Sequence, residues 1–234
     1  MPFYGFYFDP TYILVIIGAV ICLAASARVK LTFRKYNRVR SMSGLTGAQA
    51  AERILRSAGI MDVRIEHISG DLTDHYDPRH KVLRLSDSTY SSTSVAAVGV
   101  AAHECGHAIQ HQKDYAPLSI RSAIVPAANF GSAAAWPLII VGMFFTSNTG
   151  TLLINIGILC FSLAVLFQLV TLPVEFNASR RAVRILGDTG ILGTEELKGT
   201  KKVLGAAALT YVAGAAAAIL QLLRLLFLFG GRDD

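Results

Sequence analysis

The stretch LLINIGILCFSLAVLFQLVTLPVE, from Leu152 to Glu175, carries no charge until its last residue. An apolar run of this length reads as a membrane-crossing helix, because about 20 residues rising 1.5 Å each cover roughly 30 Å of hydrocarbon. Three more runs share this character: Tyr12 to Ala27, Ile124 to Phe145 and Val203 to Leu223. Hydrophobic residues make up 53% of the 234-residue chain and its mean hydropathy is +0.47. That composition departs from ordinary soluble domains, and its excess is concentrated in these runs. The expectation is a mainly α, multi-pass membrane protein with four transmembrane helices.

Charge placement orients the spans, since loops facing the cytoplasm collect Lys and Arg. Of the 22 basic residues, all but Arg224 and Arg232 fall between Arg28 and Arg121 or between Arg180 and Lys202. The segment before Tyr12 and the Thr146-to-Gly150 link have none. The amino terminus is therefore expected outside and both large loops in the cytoplasm. The net charge of +6 is then a topology signal. Basic clusters also suit nucleic acid, but these flank spans and carry no recognition motif, so no nucleic-acid partner is expected. Ala25-Ser26-Ala27 fits a signal-peptide cleavage pattern, yet Met1 to Pro10 has no positive charge and a basic cluster follows, which reads as an uncleaved anchor. Cys22, Cys105 and Cys160 are scattered and give neither a disulfide framework nor a thiolate metal signature.

Between the first two spans lies His103-Glu104-Cys105-Gly106-His107. Two imidazoles four residues apart share a helix face and can grip one metal ion, with the intervening glutamate placed to work on a water at that ion. Ser91-Ser92-Thr93-Ser94 offers the helix an N-cap, and Val95 to Ala102 is a small apolar run that buries it. Cys105 points about 200° away around the helix and reads as packing. A catalytic zinc keeps three protein ligands and an open position, so another ligand must come from elsewhere. His111 continues the four-residue repeat, but eight residues of helix span about 12 Å, too far for one ion. Glu175 is the better candidate: a carboxylate at a membrane-proximal depth needs a partner, and the helix is expected to continue through Arg181. Pairing with Arg180 or Arg181 is the plainer alternative for it.

Ahead of the histidines, Ser41 to Ala58 reads as an amphipathic helix closed by Gly59. Val63 to Ile68 and Lys81 to Leu85 read as strands of a small antiparallel sheet, with a turn at Asp77-Pro78. Such a sheet could lend an edge to an extended peptide. The expected organisation is a first span over 1–30, a cytoplasmic α+β region over 31–121, a transmembrane hairpin over 122–174, a cytoplasmic helical segment over 175–202, and a fourth span and tail over 203–234.

Phe6-Tyr7-Phe8-Asp9-Pro10, Asp74-His75-Tyr76-Asp77-Pro78-Arg79, His103 to His111 and Glu175-Phe176-Asn177-Ala178-Ser179-Arg180-Arg181 together resemble the YugP family of membrane zinc metallopeptidases, within the HtpX-like gluzincin group. The resemblance runs over nearly the whole chain. It implies Zn2+ as cofactor, His103, His107 and Glu175 as metal ligands, Glu104 as the catalytic carboxylate, and a peptide or protein substrate. The wider group has an aspartate four residues after the third ligand, where this chain has Ser179. That aspartate would orient a ligating histidine, so Ser179, Asn177 or a backbone carbonyl is expected to replace it. His75, Tyr76, Arg180 and Arg181 are candidates to steady an oxyanion. The rival expectation is a zinc-binding membrane scaffold or metal-handling protein. Transport favours ionisable groups inside the spans, whereas all six histidines lie between His67 and His111.

Overall fold

The computed structural model describes residues 9–145 and 148–230. Phe6, Tyr7 and Phe8 of the amino-terminal motif, Thr146 and Ser147 of the link, and Arg232 lie outside the described residues. The elements run α1 (Tyr12–Asn37), α2 (Gly47–Ser57), β1 (Arg64–Ile68), β2 (His75–Asp77), β3 (Val82–Ser86), α3 (Asp87–Tyr90), α4 (Val95–Gln112), α5 (Ala116–Met143), α6 (Asn148–Asp188) and α7 (Thr194–Phe229). Four of these, α1, α5, α6 and α7, are long and apolar enough to cross a membrane. They contain three of the four runs read from the sequence and, in α5, the run from Ile124 to Phe145 as far as Met143, and the chain is a mainly α membrane protein.

The chain divides into two compact units. The helical unit takes the first half of α1, α5 from Arg121, α6 as far as Val170 and α7 from Tyr211. Its surface carries large apolar side chains: Leu23, Phe130, Leu159 and Phe227 are each at least 65% exposed, which suits a hydrocarbon solvent. Arg224, whose role the sequence leaves open, donates to the Asp9 carboxylate at 3.0 Å and stacks over the Tyr12 ring at 4.6 Å.

The mixed unit holds 25–120 and 171–210. Its sheet has the order β1-β3-β2. β2 pairs antiparallel with β3, but β1 pairs parallel, with Arg64 opposite Val82 and Ile68 opposite Ser86. This corrects the antiparallel expectation. The short β2 takes the far edge and reverses the chain, so β3 returns in the direction of β1. The central place goes to the most apolar strand, whose Val82, Leu83 and Leu85 are fully buried. Asp77 fixes the turn out of β2 by accepting from the backbone N–H of Arg79 and His80. The α2 helix starts at Gly47 rather than Ser41, because Thr46 and Gln49 form a capping box, each side chain accepting the other's backbone N–H.

Two devices place α4. Ser94 caps it, accepting the Ala97 N–H at 3.1 Å and donating to Asn37 Oδ1 at 2.7 Å. An isolated bridge between Arg40 and Ser94 ties its start to the chain after α1. Fully buried Ala97, Ala101, Ala102 and Cys105 let neighbouring elements come close. The helix comes close to α6 at Gly106, where a Cβ would sit 2.7 Å from the Ala178 carbonyl oxygen. Only glycine fits there without backbone movement. Gly106→Ala is expected to lower stability by roughly 1–3 kcal/mol through overpacking, read as a drop of several degrees in the thermal unfolding midpoint of the detergent-purified protein.

Candidate metal centre

The α4–α6 approach brings the residues read from the sequence together. His103 and His107, one helical turn apart, have ring centroids 4.8 Å apart. The Glu175 Oε2 atom lies 3.3 Å from His103 Nε2 and 3.6 Å from His107 Nε2. One ligand atom from each of the three residues falls within 4.8 Å of the others. Glu175 is 3% exposed, and the side chains of His103 and His107 are mostly buried. His111 is not in the group among the described residues, as helix geometry requires.

These distances test whether a zinc ion fits. Ligand atoms at about 2.0–2.1 Å from a tetrahedral ion stand about 3.3–3.4 Å from one another, and the two imidazole-to-carboxylate spacings lie close to that. The other face of each imidazole is occupied. Gln110 is fully buried and its amide nitrogen donates to the Val174 carbonyl at 2.8 Å and to Asn177 Oδ1 at 3.0 Å. Its Oε1 is left to accept from His107 Nδ1 at 3.0 Å. That assigns the proton to Nδ1 and the lone pair to Nε2, on the Glu175 side. Asn177 Oδ1 also accepts from Arg181 Nε at 2.6 Å, and the Arg181 guanidinium stacks on Tyr115. On His103 the corresponding partner is Ser179, whose Oγ lies 3.1 Å from Nδ1. Ser179 thus stands where the aspartate was expected, and Asn177 acts one step further out, through Gln110.

Glu104 is buried beside this group, and its Oε2 accepts the Tyr76 backbone N–H at 3.0 Å. The edge strand β2 therefore holds the candidate base. The Tyr76 hydroxyl lies 2.9 Å from His111 Nδ1, so His111 supports the strand that supports Glu104. Burial pushes the Tyr76 hydroxyl up to about 12, with the Asp62 and Asp77 charges adding to the shift, and it stays protonated at neutral pH. Burial alone would lower the His107 pKa, but the adjacent Glu175 and the charge of Glu104 outweigh it and raise it. Burial raises the Cys105 thiol well above its usual range. Its sulfur lies 3.6 Å from the Ala51 carbonyl and plays no part in the group. The remaining oxyanion candidates have other contacts: exposed His75 meets the Thr73 carbonyl at 2.9 Å, and exposed Arg180 donates to the Phe176 carbonyl at 3.4 Å.

Sequence reasoning missed two contributors. Gln110 lies three residues after His107, on the same helix face, which is the available signal for it. The Tyr76 contact is made by a backbone N–H, so its side chain gives no signal.

Comparison with known proteins gives the family. Residues 11–230 match the family described as "Putative neutral zinc metallopeptidase". The chain is 49% identical over 211 residues to the "Putative membrane protease YugP" of Bacillus subtilis (strain 168), covering 90% of this chain and 92% of that protein. No solved structure matches it. A membrane-helix chain whose matched region takes in the HECGH helix and Glu175 thus belongs to this neutral zinc metallopeptidase family.

Proposed function

We propose that the chain is a zinc-dependent endopeptidase that cuts membrane or membrane-proximal proteins at the cytoplasmic surface, with His103, His107 and Glu175 holding the ion and Glu104 as the catalytic carboxylate. The observation that carries this reading is the convergence of two Nε2 atoms and one carboxylate oxygen, with a separately anchored glutamate beside them. A bound zinc ion would supply Lewis acidity, acidifying a water and polarising the scissile carbonyl. Glu104 then accepts the proton as the water oxygen bonds to the carbonyl carbon, and returns it to the amine nitrogen as the C–N bond breaks. The Tyr76 N–H keeps the Glu104 carboxylate pointed while it cycles between these states. Gln110 and Ser179 hold the imidazoles so that their Nε2 atoms stay aimed at one point.

The surface location rests on the sequence around α4. Only about eight apolar residues precede His103, and Gln110, His111, Gln112, Lys113 and Asp114 follow it, too little hydrocarbon to bury the site in a bilayer. The cytoplasmic assignment rests on the basic residues of the two large loops. A cysteine introduced at Thr149 is expected to react with impermeant maleimide only from outside intact cells; labelling from the cytoplasmic side would reverse the orientation.

Glu104→Gln is expected to keep its zinc while cutting an unfolded protein substrate roughly 10²- to 10⁴-fold more slowly. Equal cleavage by the parent and this variant would return the chain to the scaffold reading. Glu175→Ala is expected to lose most of its zinc on dialysis. Ser179→Ala and Gln110→Leu should each weaken zinc binding by roughly 10- to 100-fold, measured by competition with a chromophoric chelator.

A further inference from the structure

The mixed unit has a groove of about 340 Å³ between α6 and α7. Phe176, Val183, Leu204 and Leu209 line it with hydrocarbon. Arg180 and Lys201, one from each helix, also line it, and both are exposed. Neither forms an ion pair with a carboxylate among the described residues. In the sequence, Arg180 follows the run that ends at Val174 and Lys201 precedes the run that begins at Val203, which puts both at the boundary level of their helices.

Gly205 gives a second, independent observation. It lies inside α7 and lines the groove, and a Cβ built on it meets nothing within 4 Å. Glycine in a helix interior costs stability. At Gly106 a close backbone approach explains that cost, but at Gly205 there is none. What the missing side chain leaves is room in the groove.

We propose that this groove is a binding site for one anionic phospholipid, its phosphate between Arg180 and Lys201 and an acyl chain along the apolar floor past Gly205. A basic pocket between membrane helices on the cytoplasmic side suits an acidic headgroup. A peptide fits less well, because its backbone N–H and C=O groups need partners. The walls are two helices whose own backbone groups are already paired, and they offer few side-chain partners beyond the two cations and Ser179. An acyl chain has no such need. None of the three proposed metal ligands lines the groove, although Ser179, which touches His103, does.

The test is thermal unfolding of delipidated full-length protein in detergent, with added dioleoylphosphatidylglycerol or dioleoylphosphatidylcholine, alongside native mass spectrometry of retained lipid. Phosphatidylglycerol is expected to raise the midpoint by several degrees more than phosphatidylcholine, and one copy should be retained. Arg180→Gln/Lys201→Gln should abolish that difference. Arg34→Gln/Lys35→Gln, which removes the same charge from α1, should keep it. Gly205→Phe, which puts a ring into the groove from a position where an added Cβ meets nothing within 4 Å, should lose the retained lipid while its midpoint without lipid stays at or above that of the parent. Equal effects of the two lipids on the parent, or equal losses in the two double variants, would overturn the proposal. So would a Gly205→Phe protein that still retains the lipid but shows a several-fold higher KM for a protein substrate, since the groove would then belong to the substrate.

Discussion

The site depends on one close contact, the packing of α4 on α6 at Gly106 and Ala178. A helix pair meeting backbone to backbone can hold side chains one turn away at fixed, short distances. His103 and His107 flank Gly106 on α4, and Glu175 precedes Ala178 by three residues on α6. The contact therefore sets the 3.3 and 3.6 Å spacings between imidazole and carboxylate. A buried carboxylate is costly unless it is paired. Here two histidines lie against it, and among the described residues these three groups form a cluster that could hold a metal ion.

Around that cluster the polar groups are satisfied in a directed chain. Arg181 donates to Asn177, Gln110 donates to Asn177 and Val174, and His107 donates to Gln110. Each link leaves the next group one role, so the chain ends by fixing a tautomer rather than only filling space. On His103 one hydroxyl, from Ser179, takes the equivalent position. Glu104 is anchored separately, by the backbone of β2, and that strand is supported in turn by the Tyr76–His111 contact. The small sheet thus places one backbone N–H against Glu104 while β3 packs in the core.

α6 combines two roles in one unbroken helix. Its first part has the composition of a span, and its continuation carries Glu175, Asn177, Ser179 and Arg181. Residues three or four apart share a helix face, which is why Glu175 and Ser179 both reach His103. Phe176, Arg180 and Val183 line the groove against α7, and Ser179 lies where the two faces meet, touching His103 and lining the groove as well.

Much of this was legible in the sequence because it rests on local periodicity. Uncharged runs near 20 residues give the four long helices, and HECGH gives two histidines on one face. Glu175 stood out as a charge at the end of an apolar run, and His111 was excluded by helical rise alone. What only the tertiary structure decided is whatever depends on pairing between distant segments. The parallel partnership of β1 and β3 follows from β2 taking the far edge, which no single strand's pattern encodes. The start of α2 was misread because the Ser41 to Thr46 stretch looks polar-helical until the Thr46–Gln49 box is recognised. Gln110 touches His107 only three residues away but is itself fixed by Val174 and Asn177 from a distant helix, and the Tyr76 contact to Glu104 is made by a backbone N–H, which leaves no mark on the residue type. Local periodicity names the helices and the face that carries both histidines. Only the folded chain decides which buried hydrogen bonds aim them.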